Sequence, residues 1–128
     1  ARVLQKASEG LSEPRYALLG KVVVQSAVKR FYDAEKRIFI DRNLVAEESV
    51  EYLMEMNSLL ALAMMGLAEQ GVWEDPDVVE GLITYFSGVD VVLDQRLWES
   101  TDWELLEAYV PYLEAINVYL ATKSVEQE

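Results

Sequence analysis

Residues 59–68, LLALAMMGLA, form a run of ten residues without one polar side chain. A helix that is apolar on every side is buried on every side, inside a bundle or in a subunit interface. The run falls well short of the roughly 18 apolar residues that a bilayer crossing needs, so no membrane association is expected. Glu47, Glu48, Glu51 and Glu55 precede it. Residues 44–70 therefore read as one helix, acidic where it starts and apolar where it ends, with the rest of the chain packed around it. Asn43 is its expected N-cap and Gly71 its left-handed C-terminal residue.

The flanking sequence supplies the partners. Residues 1–9 read as a short helix or a detached arm, ended by Gly10. Ser12 is a candidate N-cap, with Glu13 and Pro14 in the first turn, where a missing N–H costs little. From there a helix is expected over residues 13–41. Val24, Ala27, Val28, Phe31, Ala34 and Ile38 make its apolar face, with Lys29, Arg30, Lys36 and Arg37 opposite. Asp75 and Pro76 mark another helix start, with Val78, Val79, Leu82, Ile83 and Phe86 facing inward and a break or kink at Ser87-Gly88. Thr101-Asp102-Trp103-Glu104 matches a capping box that opens the last helix, residues 102–122. The expected fold class is all-α, a four- to five-helix bundle with a central, largely buried helix. It forms a single helical domain over 1–128, with residues 1–11 as a possible arm and 123–128 as a frayed tail.

The last helix carries more apolar surface than one packing partner needs. One stripe is Trp103, Leu106, Val110, Leu113 and Leu120, interrupted by Asn117; the adjacent one is Leu105, Tyr109, Tyr112, Ile116 and Tyr119. Since Tyr is enriched at interfaces, the second stripe is the expected contact with another subunit and the first the core face. Burial of both stripes between neighbouring helices of the same chain is the competing arrangement. Pro111 lies inside this helix and is expected to kink it.

The absence of Cys and His narrows the chemistry sharply. Disulfides, thiolate metal sites, the Ser-His-Asp triad and histidine acid–base catalysis are all excluded. The lack of Cys and of a visible secretory signal makes a cytoplasmic location the expectation. No glycine-rich phosphate loop occurs. What remains is carboxylate, Lys, Tyr or Ser chemistry.

Charge is unevenly distributed. Of 11 Lys/Arg and 23 Asp/Glu, residues 1–42 hold nine basic against five acidic, and residues 43–128 two against eighteen. The net charge of −12 thus resolves into +4 and −16. Either a basic helix lies along acidic ones inside the fold, or the acidic part meets a basic partner such as a nucleic-acid-handling protein. Direct nucleic-acid binding is not expected, because phosphate contacts need positive surface.

One acidic constellation has metal-site spacing. Glu47-Glu48-x-x-Glu51, followed by Glu74-x-x-Asp77, resembles the pattern of the all-α nucleoside-triphosphate pyrophosphohydrolases. The resemblance implies Mg²⁺ held by Glu47, Glu48, Glu51, Glu74 and Asp77, with water attacking the triphosphate. It covers about thirty residues and departs from the family at Pro76, which stands between the last two carboxylates. A solvated acidic first turn favoured by the helix dipole explains the same residues without metal. The expected function is accordingly a non-enzymatic, acidic helical-bundle interaction protein without a cofactor, pairing with itself or with a larger protein. The Mg²⁺-dependent pyrophosphohydrolase is the alternative.

Overall fold

The computed structural model describes residues 2–40, 50–73, 76–99 and 103–126. Five helices are present among them: α1 (Arg2–Leu11), α2 (Pro14–Phe31), α3 (Val50–Glu69), α4 (Pro76–Glu99) and α5 (Trp103–Glu126). A short antiparallel pair, β1 (Tyr32–Asp33) and β2 (Ile38–Phe39), follows α2. The chain is an all-α bundle.

The central helix is α3, which packs against each of the other four helices. Its apolar run supplies much of the core: Ala61, Leu62, Ala63, Met64 and Leu67 are buried, together with Met54 about two turns earlier. Two of the four methionines of this helix, Met54 and Met64, are thus fully enclosed core filler. Its end follows from Gly71, whose φ of +80° only glycine adopts without strain. Val72 N–H donates to Leu67 O and Gly71 N–H to Ala68 O, both at 3.0 Å. This pair of bonds is the Schellman arrangement that satisfies the last carbonyls of a helix.

On one side of α3 lie α1 and α2, joined by a tight turn in which Ser12 takes φ +52°. The helix passes through Gly10 to Leu11 rather than stopping there. The N-cap of α2 is Glu13, not Ser12, and its carboxylate accepts from Arg15 N–H at 3.4 Å. Pro14 then occupies the first helical position, where its missing N–H breaks no bond.

The helix expected over residues 13–41 ends ten residues early, at Phe31. Local hydrogen bonding outcompetes the helical continuation. The Asp33 carboxylate accepts from Glu35 N–H at 3.0 Å and Lys36 N–H at 3.1 Å, and Arg37 N–H closes onto Asp33 O at 2.7 Å. Such an aspartate turn offers the backbone an alternative to a helix. Arg37 then adopts φ +63° and reverses the chain. Ile38 and Phe39 enter the core beside α3 and α4, and Phe39 packs on the Tyr32 ring at 5.1 Å between centroids. Ile38 is therefore a core residue, as its place in the apolar pattern required, but it arrives from a strand.

Pro76 opens α4, and the helix continues through Ser87 and Gly88 to Glu99 without interruption. Ser87 Oγ donates to Ile83 O at 2.7 Å, so this serine is satisfied by its own helix. Helix α5 likewise continues past Pro111 to Glu126. The expected caps Asn43, Asp75 and Thr101 lie outside the described residues.

Candidate docking surfaces

Helix α5 lies along α3, and the side chains turned toward α3 decide what its other face can do. Tyr109, Tyr112 and Ala115 are buried, and Ile116, Val118 and Tyr119 are half-buried against the core. The Tyr112 ring meets Phe86 of α4 edge-on at 6.4 Å and Tyr109 at 5.9 Å. Such perpendicular aromatic pairs favour the packed state beyond the area they bury. At the outer end, the Lys123 ammonium sits 5.6 Å from the Tyr119 ring centroid.

These positions reverse the expected assignment of the two stripes. Tyr109, Tyr112, Ile116 and Tyr119 pack within the chain; the side chain of Leu105 lies outside the described residues. The described part of the other stripe looks outward, with Val110 at 57%, Leu113 at 53% and Leu120 at 59% exposure, and Asn117 exposed among them; the side chains of Trp103 and Leu106 lie outside the described residues. The physical reason lies in the neighbours. Ala115, on the side of the helix opposite the exposed stripe, is fully buried, and Tyr109 and Tyr112 bury large rings beside it. Asn117 carries two donors and an acceptor that a dry core would have to satisfy. That one polar residue was the sequence signal for which stripe faces out.

A second exposed apolar face, which the sequence reading did not single out, lies on α2. Ala17, Gly20 and Val24 are buried, and Leu18, Leu19, Val22 and Val23 occupy the opposite side, all substantially exposed. Further along the same outer side the helix turns polar, with Gln25, Ser26, Lys29 and Arg30 exposed. The apolar patch is thus confined to about two turns.

Helix α1 is held by polar contacts. Gln5 and Ser8 are buried, and Gln5 lies directly over Gly66 of α3: a Cβ there would clash with the Gln5 carboxamide. Arg2 donates to Gln5 Oε1 at 2.8 Å and to Leu62 O at 3.3 Å, and pairs with Glu114 of α5 at 3.4 Å. Gln70 Nε2 donates to Ser8 Oγ at 3.3 Å. The basic first third of the chain therefore meets the acidic part through Arg2. Arg37 reaches the same part differently, donating to the backbone carbonyl of Asp77 at 3.1 Å.

Glu47, Glu48 and Glu74 lie outside the described residues, as does the Glu51 side chain. Asp77 is the second residue of α4 and exposed. Among the described residues no group of three acidic side chains is gathered as a metal site would need, and no helix is long and apolar enough to cross a membrane. No protein-family model, curated protein or solved structure matches this chain.

Proposed function

We propose that this chain is a protein–protein interaction module whose outer faces on α2 and α5 dock against protein surface. The observation that carries the reading is the coexistence of a filled core with seven large aliphatic side chains left on two helix faces. Leu18, Leu19, Val22 and Val23 are exposed on α2, as are Val110, Leu113 and Leu120 on α5, while Val24, Met64 and Tyr112 are sealed inside. Covering each exposed side chain contributes about 1 kcal/mol of apolar burial, so two such faces favour association. The −12 net charge sets the electrostatic preference among foreign partners toward basic proteins, with salt-sensitive association as the signature.

Light scattering across a concentration series, with binding of an apolar dye, tests this reading. Association or dye binding that falls when Val22→Glu and Leu113→Glu are introduced supports it. A strict monomer that binds no dye contradicts it.

A further inference from the structure

The outer face of α5 has a finer pattern than exposure alone. Val110, Leu113, Asn117 and Leu120 follow one another at steps of three, four and three residues. That is the a–d–a–d spacing of a coiled-coil seam, with β-branched Val and polar Asn at a and Leu at both d positions. Upstream, Trp103 and Leu106 continue the same register in the sequence. The structure leaves the described part of this face outside the bundle: Ala115, at the f position opposite the seam, is fully buried, while Val110, Leu113, Asn117 and Leu120 are exposed.

We infer that this face is the seam of a parallel, in-register dimer formed with a second copy of the chain, centred on Asn117. The inference rests on the interaction-module reading and names the partner of one of its two faces. Three observations select a second copy. Val at a with Leu at d favours two strands over three or four. An Asn inside an otherwise apolar stripe is left unsatisfied against a purely apolar groove. It is satisfied by the same Asn across a two-fold axis, which also fixes register. Finally, helix α5 is already formed and anchored on α3, so a short seam suffices, because association no longer has to order the helix.

Charge selects the direction. Glu107 and Glu114 both fall at e positions along the seam. In an antiparallel pair e faces e, and pairing centred on this stretch sets the two Glu114 carboxylates against each other. In a parallel pair e faces g, and the g positions Tyr109 and Ile116 carry no charge. Glu114 is moreover already paired with Arg2 of its own chain.

Sedimentation equilibrium of the full chain, wild type against Leu113→Asp and Val22→Asp, tests the partner. The expected result is a wild-type dimer whose dissociation constant rises at least about 100-fold in Leu113→Asp, with unchanged helical circular dichroism, and stays within about 3-fold in Val22→Asp. Association lost in Val22→Asp and kept in Leu113→Asp overturns the seam while leaving the interaction-module reading standing. A wild-type monomer at all concentrations, or a trimer, also overturns it.

Spin labels on Glu107→Cys and, separately, Ala121→Cys test direction, since both positions are exposed and the chain has no other cysteine. The two sites are fourteen residues, about 21 Å, apart along the helix. A parallel in-register dimer gives a short label-to-label distance at both. Any antiparallel pairing leaves at least one pair separated by about 21 Å along the axis, and that result overturns the proposal.

Discussion

The side-chain amide of Asn57 holds both backbone polar groups of Phe39, accepting from its N–H at 2.7 Å and donating to its carbonyl at 3.1 Å. It thereby does for β2 what a neighbouring strand would do. The second amide hydrogen goes to Leu53 O at 2.8 Å, so this fully buried polar residue is satisfied within α3 and the hairpin. A polar residue in the middle of the central helix is thus the clamp that lets a two-residue strand enter the core.

Replacing Asn57 by Ala removes these bonds and strands two buried backbone groups. The expected cost is about 3 kcal/mol of unfolding free energy. Asn57→Asp keeps the acceptor but sets a carboxylate against two carbonyl oxygens, so it is expected to destabilise more. Urea unfolding of both variants checks the order.

At Arg37 the left-handed φ of +63° and the guanidinium contact to Asp77 O are separable. Arg37→Ala and Arg37→Gly both lose the contact, but only alanine retains the cost of the backbone conformation. Arg37→Gly is therefore expected to be more stable than Arg37→Ala by about 1 kcal/mol in urea unfolding. Equal stabilities would contradict the conformation described.

Gly66 and Gln5 should be energetically coupled. In an isolated helix, Gly66→Ala stabilises by about 1 kcal/mol. Here the new methyl group meets the Gln5 carboxamide, whose hydrogen bonds with Arg2 and Glu9 must break for it to move. The substitution is expected to stabilise in a Gln5→Ala background and to destabilise in the wild type, with a coupling of about 1 kcal/mol or more in a double-mutant cycle. Additive effects would show that α1 does not sit over Gly66.

Much of the architecture was legible because it follows from strong local signals. The uninterrupted apolar run of residues 59–68 marked the central helix, Gly71 marked its end, and Pro14 and Pro76 marked two helix starts. The hairpin after α2 was not legible: strands of two residues are too short to show alternation, and Val24, Val28 and Phe31 carry a helical period up to the turn. Asp33, with small and charged residues after it, was the available hint. The two faces of α5 could be recognised as apolar, and Asn117 was the one local signal for which of them faces out; that α3 covers the tyrosine side is a tertiary fact. The outer patch on α2 was hidden for the same reason, since Leu18 and Val22 look like core residues until Ala17 and Val24 are seen to fill that role.

The most direct test of the assignment of α5 uses two neighbouring residues. Tyr112 is 1% exposed and Leu113 53%. Thermal unfolding with simultaneous mass measurement should show Tyr112→Asp unfolded or destabilised by more than about 4 kcal/mol, because it places a charge in the core. Leu113→Asp should remain folded, with stability within about 0.5 kcal/mol of wild type once association is removed, and with its mass reduced to that of the monomer. A folded Tyr112→Asp that merely loses association, or a Leu113→Asp that unfolds, would contradict the account and return the tyrosine stripe to the interface.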